Sequence, residues 1–161
     1  MLSIPDFWSA AREAVPALPE QPTDRVWPFG ATPEQADSLL ELVLAGVKTG
    51  TASYFWDYET DDEPLPVVGD YDIVLDGSGS PRAVLVTESV EVVPFNEVTA
   101  EHAHAEGEDD RTLESWRRIH KKFYEDHVEV GRPFADDMPM VCERFRVLYP
   151  SIPAASATPT A

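Results

Sequence analysis

A lysine three residues ahead of a threonine, Lys48 and Thr51 in the run VKTGTAS, is a pair suited to acyl-transfer chemistry. A hydroxyl is inert at its own pKa and needs a base beside it. Lysine becomes that base when burial disfavours its ammonium form. Val47 and Ala52, with Tyr54, Phe55 and Trp56 beyond, offer apolar surroundings for such desolvation. Positions three apart on a straight strand face opposite sides, so the pair requires Gly50 to bend the backbone. An exposed loop lysine beside an ordinary strand threonine is the other outcome that local sequence leaves open.

Other side chains invite weaker readings. His102 and His104, with Glu101 and Glu106, suggest a metal. Helical positions two apart do not converge on one ion, so a polar surface accounts for them and no metal or other cofactor is expected. Glu143 shares the parity of Val141, Phe145 and Val147 and would need a partner such as Arg117 or Arg144 if buried. Trp27 and Phe29 could stack on a base or pack in the core, and Trp116 reads as core. Arg117, Arg118, Lys121 and Lys122 form the one basic patch, fit to meet a phosphate or to balance Glu114 and Glu125.

The elements that must position these residues can be read from patterning. PDFWSAAREAV at 5–15 reads as a short helix, followed by a link interrupted by Pro16, Pro19 and Pro22. Thr32, Pro33 and Gln35 open a helix whose apolar face is Ala36, Leu39, Leu40, Val43 and Leu44, with Gly46 as its left-handed stop. VKTGTASYFWDYE favours extended structure. YDIVLD and AVLVTESVEVVPF form a hairpin across Asp76-Gly77-Ser78-Gly79, the long return strand bending or carrying a bulge. AEHAHAE is a short helix ending near Gly107, and a longer one runs from Asp110 or Thr112 to about Val130. PMVCERFRVLY is the last strand. Strands and helices do not alternate regularly, which excludes a doubly wound sheet and points to an α+β class, a small mixed β-barrel flanked by helices. The expected organisation is an N-terminal helix and linker at 1–26, one domain at 27–149 and a disordered tail at 150–161.

Composition narrows the function. The chain has 161 residues, enough for one real core, and no apolar run approaches a bilayer span. Its N-terminus lacks a signal-peptide pattern and its lone Cys142 excludes an internal disulfide, so the cytoplasm is the expected location. The formal charge of −18 repels long polyanions and disfavours DNA and extended RNA, whereas a small neutral ligand meets no such barrier.

With these residues in view, LVLAGVKTGTAS resembles the signature of the ASCH family, Gly-x-Lys-x-x-x-x-Arg after a helix. WPFG, VGDYDIVLD, VEVVPFNEV, HAEGEDDRTLESWRRIH and MVCERFRVLY resemble further stretches of its larger bacterial branch, from about Trp27 to Tyr149. The resemblance implies a PUA-like β-barrel holding a nucleoside-sized cleft. It also implies an amidohydrolase that removes the acyl group from N4-acetylcytidine with a Lys/Thr/Glu triad, which falls on Lys48, Thr51 and Glu108. The signature arginine is Ser53 here, and a serine supplies neither its charge nor its bidentate fork. Phe29, Ser53, Tyr54 and Arg117 are the expected substrate-binding residues. An RNA-binding or ribonucleolytic module and a non-catalytic ligand-binding regulator are the alternatives.

Overall fold

The computed structural model describes residues 1–152, so the tail expected at 150–161 lies outside the described residues from position 153 on. In chain order the elements are α1 (Ile4–Ala14), β1 (Val26–Pro28), α2 (Pro33–Leu44), β2 (Gly50–Tyr54), α3 (Phe55–Asp61), β3 (Tyr71–Leu75), β4 (Pro81–Pro94), α4 (Ala100–Glu106), α5 (Leu113–His127) and β5 (Pro139–Tyr149). The strands hydrogen-bond in the order β1-β3-β4-β5-β2. The class is mixed α+β, as the sequence leads one to expect. No helix among the described residues is long and apolar enough to cross a membrane. Contacts group the chain into two compact units, one of residues 1–47, 69–86 and 145 onward, the other of 48–68 and 87–144.

In the first unit the N-terminal helix is part of the core. Ser3 caps α1 by accepting from the Asp6 N–H, and Phe7, Trp8 and Ala11 bury against Leu18, Ile73 and Val84. Thr32 caps α2 by accepting from Gln35 N, and Gly46 closes the helix at φ +77°. Leu40 and Val43 from its apolar face join Phe29, Val74, Leu85 and Phe145 in a second cluster. β1 pairs parallel with β3, a short strand that the Trp and Pro of VWP do not announce. Asp72 on β3 fixes the preceding segment, since it accepts from Arg25 Nε (2.7 Å) and Trp27 Nε1 (2.7 Å). The β3–β4 ladder shifts register after Val74, placing the expected irregularity at the start of β4.

In the second unit β2 pairs antiparallel with β5, Gly50 opposite Arg144 and Tyr54 opposite Met140, without interruption. Extended structure stops sooner than expected, because Phe55–Asp61 is helical and closes on Asp62 in the left-handed region. A strand preference of Phe, Trp and Tyr largely records packing on a sheet, and past Tyr54 the β2–β5 ladder has ended. Thr99 caps α4 and Thr112 caps α5, each accepting from the N–H three residues on. α5 ends at His127, short of the expected Val130, because Val128 is already extended. Tyr54, Phe95, Trp116, Tyr124, Met138 and Met140 form the core of this unit.

Candidate active site

Four local features bring Lys48 to carboxylates about sixty residues away. Lys48 lies in the irregular segment between α2 and β2, so strand alternation does not govern its direction. The next residue anchors that segment to α4, with the Thr49 N–H donating to the Ala105 carbonyl at 2.7 Å. Gly50 allows the close approach: a Cβ there would stand 3.1 Å from the Glu143 carbonyl and 3.5 Å from Ala105 Cβ. At the end of α4, Gly107 turns left-handed at φ +73° and sends Glu108 back toward the lysine.

The result is a buried amine gripped from one side. Lys48 is 1% exposed. Its Nζ lies 2.8 Å from Glu108 Oε2, 3.6 Å from Glu106 Oε1 and 3.3 Å from the Glu106 carbonyl, to which it donates. A buried ammonium requires such partners, because taking an unpaired charge out of water is prohibitive. The two carboxylates differ in access, with Glu106 fully buried and the Glu108 side chain 21% exposed.

Glu106 is the centre of the cluster. Its Oε2 accepts from Trp116 Nε1 at 2.6 Å and faces His102 Nε2 at 2.8 Å, while Oε1 faces His120 Nε2 at 3.3 Å. Burial pushes this carboxyl up, but the charges of His120 and Lys48 and the hydrogen bonds from His102 and His120 outweigh it and hold the group well below its ordinary range. His120 moves the other way. Burial lowers it, and the Glu106 charge and hydrogen bond, with Glu108 and the Trp116 carbonyl, raise it above the usual histidine value.

Helical spacing explains the convergence. His102 and Glu106 are one turn apart on α4, as are Trp116 and His120 on α5. The sequence reading gives His102 and Glu106 to a polar surface, but both are buried, and it misses His120. The signal available was the i, i+4 spacing, not the i, i+2 pair His102/His104. His104 faces elsewhere and gives its carbonyl to Arg111. Glu106, Glu108 and His120 each bring one ligand-type atom within 4.8 Å of the others. Two of the three, Glu106 and Glu108, also meet the Lys48 Nζ.

The remaining candidates are spread more widely. Thr51 is half-buried on β2, opposite Glu143. Alternation puts Thr51, Ser53, Val141 and Glu143 on one face of the β2–β5 pair and Gly50, Tyr54, Cys142 and Arg144 on the other. Gly50 is not among the glycines of positive φ, and its pairing is regular, so the strand does not bend there. Ser53 Oγ shares a hydrogen bond with the Tyr58 hydroxyl (2.9 Å). Tyr54 is buried, donates to the His120 carbonyl at 2.7 Å, and has its phenol pushed far up by burial. Phe29 is buried in the first unit against Phe145. Arg117 donates to the Asn96 carbonyl. The rest of the basic patch is likewise engaged, Arg118 with Asp109, Lys122 with Asp126, and Lys121 over the Phe134 ring.

A cleft of about 320 Å³ opens beside this cluster, lined by Val93, Glu97, Thr99, His102, Cys142 and Arg144 among others. His102 is the residue common to the two, since its Nε2 meets Glu106 and its Nδ1 faces Arg144 Nε at 3.4 Å.

Comparison with known proteins adds a family. A family model described as the ASCH domain matches residues 25–149. A solved protein of Enterococcus faecalis V583 is 36% identical, with a TM-score of 0.80 over 89% of this chain and 86% of that one. An ASCH domain from Lactobacillus crispatus JV V101 is 31% identical, with a TM-score of 0.72 over 77% of this chain and 79% of that one. A third structure, titled a hypothetical protein, is 17% identical at a TM-score of 0.50, over 76% of this chain and 98% of its own, and shares the fold alone. No functionally curated protein matches the chain.

Proposed function

The chain belongs to the ASCH domain family, and on that footing we propose that it hydrolyses an amide on an acylated cytosine nucleoside or a related small molecule at Lys48. The observation that carries the reading is the fully buried Lys48 amine held 2.8 Å from the partly exposed carboxylate of Glu108. A lysine and a carboxylate in contact can exchange a proton, leaving an amine that acts as base and an acid that serves the leaving group.

In this reading Lys48 gives a proton to Glu108, and the freed amine takes the proton of Thr51. The threonine oxygen attacks the amide carbonyl, Glu108 returns its proton to the departing exocyclic amine, and water hydrolyses the acyl-threonine. Thr51 holds the nucleophile's role on the family signature. The charge of −18 supports a small neutral substrate over a polyanion, and the basic residues on α5 are each taken up locally rather than forming a track. The reaction is set in the cytoplasm, in keeping with a single buried thiol and no disulfide chemistry.

The test is turnover of N4-acetylcytidine followed by chromatography, in the wild type and in Glu108→Gln, Lys48→Arg and Thr51→Ala. General acid–base assistance is worth about 10²–10⁴-fold, and losses of that size are expected in all three variants. Unchanged turnover in Glu108→Gln sinks the reading. Loss in Glu108→Gln with full activity in Thr51→Ala would keep the reaction and replace the acyl-threonine by direct attack of water.

A further inference from the structure

His120 has both ring nitrogens against groups that only accept. Its Nδ1 lies 2.8 Å from the Trp116 carbonyl, and its Nε2 lies 3.3 Å from Glu106 Oε1. A carbonyl and a carboxylate oxygen offer no proton, so a ring satisfied at both nitrogens must carry both hydrogens itself. The contrast is His102, whose Nε2 also meets Glu106 but whose Nδ1 faces the Arg144 guanidinium, which only donates. There Nδ1 accepts and Nε2 donates to Glu106. One carboxylate is therefore met by two histidines whose second nitrogens face opposite kinds of group.

From this geometry we propose that His120 is a positioning residue: a buried imidazolium that neutralises Glu106 and so leaves Glu108 as the carboxylate that exchanges a proton with Lys48. The catalytic half of this inference rests on the amidohydrolase reading, while the charge of His120 does not.

Counting charges supports it. With His120 neutral, the buried cluster would hold Lys48 against two carboxylates and carry a net negative charge. With His120 charged, two cations meet two anions. Glu106 then has every oxygen occupied, by Trp116 and His102 on Oε2 and by His120 and Lys48 on Oε1. Glu108 makes the shorter contact to Lys48 and alone reaches solvent, which a group that passes protons requires. His120 is clamped for the task, its ring stacked on Trp116 at 4.1 Å and 19°. The titratable groups facing it are Glu106 at the end of α4, Glu108 just past Gly107, Lys48 from the segment before β2, and Tyr54 from β2, whose hydroxyl binds the His120 carbonyl. Burial opposes the imidazolium, and the facing carboxylates outweigh it.

Nitrogen-15 correlation spectra of the full chain decide the charge. At pH 6 both His120 ring nitrogens should report as protonated. In Glu106→Gln the midpoint of His120 should fall by at least about one pH unit, a tenfold loss of proton affinity. His120→Gln keeps a donor without the charge, and there kcat on N4-acetylcytidine should fall between about tenfold and a hundredfold with KM little changed. The wild-type pH–rate profile should carry a limb at the spectroscopic midpoint of His120, absent from His120→Gln. A neutral His120 ring at pH 6 overturns the proposal. So does a His120→Gln enzyme with wild-type kcat and an unaltered profile, which would make the residue structural only. A wild type without turnover sinks the amidohydrolase reading instead, and the spectra still decide the charge of His120.

Discussion

The Trp116 indole donates to Glu106 Oε2 at 2.6 Å, a bond between the first turn of α5 and the last residue of α4. The indole has one hydrogen to give and gives it to the most deeply buried carboxylate of the cluster. Trp116→Phe keeps most of the packing against Phe95 and removes that donor. Leaving a buried acceptor short of a partner costs about 1–3 kcal/mol. The urea midpoint should fall accordingly, and no change in it would mean that the bond is dispensable.

Stability should depend on pH from two sides. Glu106 is held below its ordinary range, so its contribution is complete above about pH 4.5 and is lost as pH falls through the depressed folded value. His120 is raised, so its contribution is complete below about pH 6.5 and is lost as pH rises through the raised folded value. Denaturant midpoints measured across pH should therefore plateau between those limits. Glu106→Gln should flatten the acid limb and His120→Gln the alkaline one.

Much of this was legible beforehand, for identifiable reasons. α2 could be read because Thr32, Pro33 and Gln35 mark its start, Gly46 its stop, and its apolar residues keep helical spacing. Lys48 and Glu108 were singled out and do meet. Glu106 and His120 were not given roles, because a carboxylate between Ala105 and Gly107 looks like surface until the left-handed glycine is seen to bury the helix end. α3 escaped because its aromatic residues carry a strand preference that only pairing could have realised.

Cys142 should be inert in the native protein. Burial, aided by the charges of Glu106 and Glu91, pushes its thiol up to about 12. The thiolate is the reactive form, so labelling by iodoacetamide at pH 8 should be negligible until the chain unfolds. Rapid native labelling would show that the face of β5 bearing Cys142 opens readily.

In the first unit, Asp72 serves two donors at once, Arg25 through 2.7 and 3.1 Å contacts and Trp27 at 2.7 Å. Asp72→Ala strands both and should cost about 2–4 kcal/mol in chemical denaturation. Turnover measured on the fraction still folded should be unaffected, since Lys48 and its partners belong to the other unit. A stable Asp72→Ala protein would contradict this.

Because Lys48 and His120 face Glu106 and Glu108 one for one, the cluster sums to zero inside a protein whose total is −18. Mobile counterions answer to the outer charge and barely reach Lys48, Glu106 and His120, which are buried. Ionic strength is then a dial wired to solubility and to encounters with other polyelectrolytes, and it should leave the buried Lys48–Glu106 contact almost untouched.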